Sequence, residues 1–349
     1  MEKIKLAVIF GGMSTEHDVS IVSGTSIIRN LDRQKYDIYP LYIDKQGNWY
    51  TYKESEKIYK VGDKVDNIEP LNNYIEYLKQ MDCIFPVLHG LYGEDGTIQG
   101  LFELIKVPYV GCKVLASSVS MDKVYTKIIF EKAGLNQAKY VYIRENNGRY
   151  IYVDEQFNEA IYNIEEVSNE IERKIRYPMF IKPSNSGSSV GIKKAKNIEQ
   201  LKEAIEYASK YDKKILIEEG INGREVECAV LGDEKVEASC VGEVLSAEEF
   251  YGFDAKYNNS ESKTVIPANI EKDIVEEIRK SAIKAFKAVN GSGLSRVDFF
   301  IEEGTNKVII NEINTLPGFT QISMYPKLFE AIGLKYSELL DRLIELAIK

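Results

Sequence analysis

Residues 295–320 read SRVDFFIEEGTNKVIINEINTLPGFT, from Ser295 to Thr320. The run divides into two strands joined by a turn at Gly304-Thr305-Asn306. Side chains two apart on a strand share a face. Arg296 therefore points with Asp298, and Glu312 with Asn314, while Val297, Phe299, Ile309, Ile310 and Ile313 supply apolar positions between them. Asp, Glu and Asn oxygens are the donor set that magnesium takes, usually shared with substrate phosphates. Arg296 beside them could hold a phosphate or a developing oxyanion. An edge hairpin with a solvated polar face would explain one charged pair. Four polar residues at matching period, followed by Leu316-Pro317-Gly318, favour a metal–phosphate site.

A second feature has comparable weight. Met179–Pro183 reads as a strand and leads into Ser184-Asn-Ser-Gly-Ser-Ser-Val-Gly191, after which Ile192-Lys193 resumes a strand. Small residues let backbone N–H groups approach a polyphosphate. No Gly-Lys-Ser/Thr follows, so this is not a Walker loop. A strand–glycine loop–strand lid over a nucleotide fits better than a merely flexible turn, because Lys182 precedes the loop.

Upstream, Leu6–Phe10 is the continuous apolar run of a buried parallel strand. Gly11-Gly12 and an amphipathic helix follow, with Glu16 and Ser20 at the helix start, where an acid often only complements the dipole. Strands are expected at 36–43 and 82–88, the second ending in His89-Gly-Leu-Tyr-Gly-Glu-Asp-Gly96. Ligands of open α/β sheets gather at strand carboxyl ends, which marks His89. Residues 44–80 read as an insertion without a chemical motif. A single helix is expected over 115–133, stopped by Gly134, with Lys123 inside it as a solvated lysine. Downstream come a hairpin at Asn147-Gly148, a charged helix over 155–174 and a helix over 198–210. Acids Glu218 and Glu219 then end a strand, and Gly220–Gly223 is a linker. Paired strands over 224–241, a polar–aromatic loop over 249–263, and helices over 273–289 and 337–348 complete the chain.

At 349 residues the chain should hold about two or three domains. A net charge of −9 argues against nucleic acid as a partner. Cys83, Cys112, Cys228 and Cys240 are scattered without metal-ligand spacing, as expected of buried thiols in a reducing cytoplasm. The apolar run near the start is too short for a signal segment, and no stretch could span a membrane.

With these pieces placed, the chain resembles the D-alanine–D-alanine ligases of the ATP-grasp superfamily over essentially its whole length. The likeness rests on GGMSTEHDVS, VLHGLYGEDGTIQG, SMDK, KPSNSGSSVG, DAKY, SRVD and NEINTLPGFT. It implies an α/β fold, with an N-terminal doubly wound parallel-sheet domain (1–122) before an ATP-grasp module of a lid part (123–219) and a catalytic part (220–349). It implies ATP and two magnesium ions, for which manganese can substitute, and a homodimer. Lys123, Lys182, Glu218, Glu219, Ile221, Glu225 and Asn311 would then line the nucleotide site, with Ser188 and Ser189 over the phosphates and Lys256 near the transferring one. Asp298, Glu312 and Asn314 would bind the metal. Glu16 would hold the first D-alanine's ammonium, with His89 nearby, and would join Ser188 and Tyr257 in a hydrogen-bonded set. Arg296 and the Gly318 N–H would face the oxyanion, and Ser323 the second carboxylate. Apolar Met324 stands where D-serine ligases tend to carry a basic residue, which favours D-alanine, although Gln321-Ile322 departs from the familiar Ser-His. A D-alanine–D-serine ligase or another ATP-grasp carboxylate–amine ligase with a different acid, and a nucleotide-binding regulator without turnover, are the rival expectations.

Overall fold

The computed structural model describes residues 2–53, 57–245, 263–320 and 322–349. Its strands form three sheets, each built from one consecutive part of the chain.

The first sheet contains β1 (Ile4–Gly11), β2 (Tyr36–Ile43), β3 (Trp49–Tyr52), β4 (Ile68–Pro70) and β5 (Cys83–Val87), in the order β4-β3-β2-β1-β5. β1 runs parallel to both β2 and β5. From Leu6 to Phe10 it is apolar, because there both of its faces are covered. Leu6, Val8 and Phe10 pack in one core with Ile21, Ile27 and Ile28 of α1 (His17–Asn30). Ala7 and Ile9 belong to a second core with Ile98 and Phe102. The 44–80 segment, expected as an insertion, continues the sheet in its described part, with β3 and β4 pairing antiparallel. Trp49 stacks on Tyr74 of α2 (Tyr74–Leu78), centroids 4.5 Å apart. Ile98 and Phe102 lie on α3 (Thr97–Ile105).

The single helix expected over 115–133 is two, α4 (Val114–Met121) and α5 (Lys123–Lys132). Asp122 between them is extended (φ −82°, ψ 99°), and its carboxylate accepts the Tyr125 N–H and the Ser184 hydroxyl. Helical periodicity carries across such a one-residue break, which is why it was not visible in the pattern. Gly134 (φ +66°) ends α5, with the Leu135 N–H on the Phe130 carbonyl, as a Schellman motif requires.

The second sheet is antiparallel: β6 (Tyr140–Asn146), β7 (Arg149–Val153), β8 (Glu159–Tyr162), β9 (Met179–Pro183), β10 (Lys193–Ala195) and β11 (Lys214–Glu219), in the order β10-β9-β11-β6-β7-β8. The helix expected from 155 begins at Ile164, as α6 (Ile164–Lys174), where Asn163 and Glu166 form a capping box. Residues 159–162 instead pair with β7. α6 and α7 (Ile198–Ala208) cover one face through Val167, Ile171, Leu201 and Ile205.

The third sheet, also antiparallel, holds β12 (Gly223–Gly232), β13 (Val236–Leu245), β14 (Lys263–Val265), β15 (Gly293–Glu302) and β16 (Val308–Asn314), in the order β14-β13-β12-β15-β16. α8 (Lys272–Ala288) packs Ile278, Ala282 and Phe286 with Cys228, Val230 and Val297. On the other face, Ala229, Leu231 and Leu294 meet α9 (Met324–Glu330) and α10 (Tyr336–Ile348). The sequence pattern did not give α9. It is short, and Pro326 sits in its first turn, where a missing N–H costs nothing. Cys83, Cys112 and Cys228 are buried free thiols, while Cys240 is only half-buried. Among the described residues no helix is long and apolar enough to cross a membrane.

Candidate active site

β15 and β16 pair so that Arg296 faces Asn314 and Asp298 faces Glu312, with a bulge just after Asp298. The two polar pairs read from the sequence thus lie side by side on neighbouring strands. Arg296 donates from Nε and Nη2 to the two oxygens of Asp298, both at 2.7 Å. Asn314 Nδ2 donates to Asp298 Oδ2 at 3.1 Å. β12 adds Glu227 opposite Asp298, with Oε2 3.0 Å from Arg296 Nε. Burial works against the Arg296 charge, but Asp298 and Glu227 outweigh it and hold its pKa well above the ordinary value. Glu227 was missed in the sequence. Its signal was the alternation Glu225-Val-Glu227, two acids on one strand face. Two carboxylates and an amide fit a magnesium ion whose shell phosphate oxygens complete. Among the described residues no three His, Cys, Asp or Glu side chains gather as a self-sufficient metal cage.

Across the cleft, α5 and the second sheet supply cations. Lys123 is not the solvated lysine of the local reading. The break at Asp122 puts it at the first position of α5, where its backbone N–H meets the Ser184 carbonyl at 3.0 Å and its ammonium meets the Ser186 carbonyl at 2.5 Å. Burial lowers its pKa. Lys182 on β9 pairs with Glu218 on β11, and that charge outweighs burial and raises the lysine's pKa. Lys127, one turn along α5 from Lys123, reaches Glu218 Oε2 at 2.8 Å. Burial opposes ionisation of Glu218, yet Lys127 and Lys182 hold its pKa down to about 2. Lys127 was also missed, although the i, i+4 spacing places it on the face of Lys123.

The glycine-rich loop between β9 and β10 carries Ser188 and Ser189 in the left-handed region (φ 48° and 61°). The Ser188 hydroxyl donates to Glu16 Oε1, joining the loop to the first sheet's α1. Glu16 stands at the N-cap position of α1 but makes no cap bond, so its carboxylate faces this loop rather than serving its own helix. A Cβ on Gly187 or on Gly90 would come within 2.5 Å of Glu16 Oε2. Both loops therefore need glycine to close around that oxygen. Ser20, by contrast, bonds Gly11 and Val87 and braces the strand ends.

His89 is buried with both ring nitrogens in use. Nδ1–H donates to the Leu316 carbonyl at 3.1 Å, and Nε2 accepts from Ser23 at 3.0 Å. Burial lowers its pKa, so the ring is neutral. Glu94 accepts the N–H groups of Gly90 and Leu316, at 2.8 and 3.4 Å. Burial and the charge of Glu16 push its carboxyl up to about 8. Both backbone groups of Leu316 are thus clamped by the loop after β5. That clamp fixes the turn carrying Gly318, next to which Ser323 Oγ accepts the Thr320 N–H at 3.0 Å.

One cavity of about 860 Å³ unites these groups, reaching from Glu16 and His89 past Lys123, Lys182 and Ser188 to Arg296, Gly318 and Ser323. Glu219, Ile221, Glu225, Asn311 and the buried Met324 also line it. Lys256, Tyr257 and Gln321 lie outside the described residues.

A nucleotide-sized cleft between two antiparallel sheets, one bearing a glycine-rich loop and lysines and the other paired acids, defines the ATP-grasp class. Two family models match, "D-ala D-ala ligase N-terminus" over residues 5–112 and "D-ala D-ala ligase C-terminus" over 129–345. The chain is 50% identical to a D-alanine–D-alanine ligase of Acetivibrio thermocellus, over 100% of this chain and 96% of that one. It is 49% identical to the corresponding protein of Clostridium acetobutylicum, over 99% and 98% of the two chains. Among solved structures, the VanG D-Ala:D-Ser ligase of Enterococcus faecalis superposes with a TM-score of 0.85 at 37% identity, covering 99% of this chain and 100% of that one. The D-alanine–D-alanine ligase of Coxiella burnetii gives 0.81 at 35%, covering 100% and 94%. The chain belongs to the D-alanine–D-alanine ligase family.

Proposed function

We propose that the chain joins two D-alanines into D-alanyl-D-alanine, converting ATP to ADP and phosphate, for peptidoglycan precursor synthesis. One observation carries this: a single cavity is lined by Glu16, the lysines Lys123 and Lys182, and Arg296, Glu312 and Asn314, with Asp298 buried beside it and bonded to Arg296 and Asn314. Glu16 takes the ammonium of the first D-alanine, whose carboxylate oxygen attacks the γ-phosphorus and expels ADP. Lys123 and Lys182 neutralise phosphate charge, and the N–H groups of Ser188 and Ser189 cover it. Glu218, Glu219, Ile221, Glu225 and Asn311 line the space for base and ribose. Asp298, Glu312 and Asn314 would hold magnesium, which when bound offsets the negative charge of the transferring phosphate.

The neutral amine of the second D-alanine then attacks the carbonyl carbon of the acyl phosphate. Arg296 and the Gly318 N–H face the oxyanion that forms, phosphate leaves, and the amine loses a proton. Water must be excluded, because it would hydrolyse the acyl phosphate. The Ser188–Glu16 bond supports a closing lid, and family likeness adds Tyr257 to that set and Lys256 to the phosphate. Ser323 would take the second carboxylate. The apolar side chain of Met324 favours D-alanine over D-serine there, since it gives a hydroxyl no partner.

The division into 1–122, 123–219 and 220–349 belongs to this proposal and is supported by the breaks at Asp122 and Gly220. A homodimer in the cytoplasm follows from the family likeness alone. Incubating the protein with ATP, magnesium and D-alanine, and measuring phosphate and dipeptide together, tests the reading. D-serine and D-lactate in competition test the second site. No phosphate release with any D-amino acid would overturn it.

A further inference from the structure

We propose that Glu227 is the positioning residue that keeps hold of Arg296 when a metal ion takes Asp298. Metal binding and release of the guanidinium towards the reacting carbonyl then become one exchange of partners. This rests on the metal–phosphate reading of Asp298, Glu312 and Asn314.

The oxygens of Asp298 are heavily used. Oδ1 accepts Arg296 Nε, and Oδ2 accepts both Arg296 Nη2 and Asn314 Nδ2. A magnesium ion sits about 2.0–2.1 Å from a carboxylate oxygen and repels a guanidinium on the same lone pairs. Arg296 must therefore give up at least one of its two bonds to Asp298. A guanidinium only 16% exposed needs a replacement anion, because desolvated charge without a counter-charge is unfavourable.

Glu227 meets that need. It lies directly across from Asp298 on β12, 4% exposed, with Oε2 already 3.0 Å from Arg296 Nε. Its strand neighbours Val226 and Cys228 are fully buried core residues, so the sheet itself fixes its place. Glu227, Asp298 and Glu312 stand in one row across three adjacent strands. Arg296 occupies the next row, between Ala229 and Asn314. It can shift its weight from the middle acid of the row to the outer one without leaving the site. Held through Nε, it keeps its two Nη groups for the substrate.

The test measures free Mn²⁺ by electron paramagnetic resonance while it is titrated into the full chain with ADP. The proteins are wild type, Glu227→Gln, Arg296→Met, the double variant and Asp298→Asn. If Glu227 relieves Asp298 of the guanidinium, Glu227→Gln weakens Mn²⁺ binding by about tenfold, because Arg296 then stays on the metal ligand. In the Arg296→Met background the same change leaves Mn²⁺ affinity unaltered, since no guanidinium competes. An equal weakening in both backgrounds means that Glu227 acts on the metal only as a charge, and overturns the exchange. So does wild-type affinity in Glu227→Gln when Asp298→Asn has lost the metal. If Asp298→Asn itself binds Mn²⁺ like wild type, the metal reading fails and the exchange fails with it. Should Glu227→Gln not fold, Glu227→Asp keeps the charge with a shorter reach, and a smaller weakening in the same direction is expected.

Discussion

Lys127 Nζ lies 2.8 Å from Glu218 Oε2, and Lys182 pairs with the other oxygen of the same carboxylate. A buried acid between two ammonium groups is fixed in place. With one lysine removed, the other must neutralise the acid alone and, on the proposed function, Lys182 must still serve the nucleotide.

Lys127→Met is expected to raise the KM for ATP by about tenfold, since Lys182 is then drawn fully onto Glu218. Stability should fall by about 1–3 kcal/mol, less than for an orphaned buried charge because one partner remains. Steady-state kinetics and urea unfolding measure the two effects. An unchanged KM would show that Glu218 does not couple Lys127 to the nucleotide.

Arg296→Ala is expected to lower kcat for dipeptide formation by about 10²–10³-fold, the usual cost of a lost oxyanion donor. Arg296→Lys should not restore it, because an ammonium cannot reproduce the two-pronged contact with Asp298. Dipeptide formation at the wild-type rate in either variant contradicts the assignment.

Gly187→Ala and Gly100→Ala should have opposite outcomes. At Gly187 the new methyl would stand 2.5 Å from Glu16 Oε2, so activity should fall sharply through misplacement of that carboxylate. At Gly100, inside α3, nothing lies within 4 Å, and alanine should stabilise the fold by about 0.5–1 kcal/mol with kinetics unchanged. Thermal melts and D-alanine kinetics on both variants separate the cases.

Glu94 gives stability a particular pH slope. Its folded pKa of about 8 lies above the ordinary 4.5, so between these values the folded chain keeps a proton that the unfolded chain has released. Its contribution is therefore fully present below about pH 4.5 and declines as pH rises to about 8. Unfolding free energy, measured by urea titration across that range, should fall less steeply in Glu94→Gln than in wild type. Parallel slopes would mean that Glu94 ionises normally.

The hairpin of residues 295–320 was legible because a strand's two-residue period reports which side chains share a face, and four polar residues agreed with it. The glycine-rich loop between β9 and β10 was legible from composition, because so many small residues in a row mark a close backbone approach. Contacts between distant parts were not. Lys123 read locally as solvated because nothing there announces that Asp122 halts α4 and brings the lysine onto the carbonyls of Ser184 and Ser186. Glu227 and Lys127 gain their meaning from partners on other elements. Residues 155–162 carry helix-like charge, but β7 claims 159–162 as a strand, so tertiary pairing outweighed local preference. His89 was marked by its place at a strand end. Its two hydrogen bonds reveal a brace between the first sheet and the turn before Gly318.

The core around β1 sets an order on synthesis. Leu6 and Val8 share that core with Leu339, Leu340, Leu343 and Ile344 of α10. A core begun by β1 and α1 is thus completed only when α10 is added. A chain released before α10 emerges leaves part of that core open to chaperones and proteases.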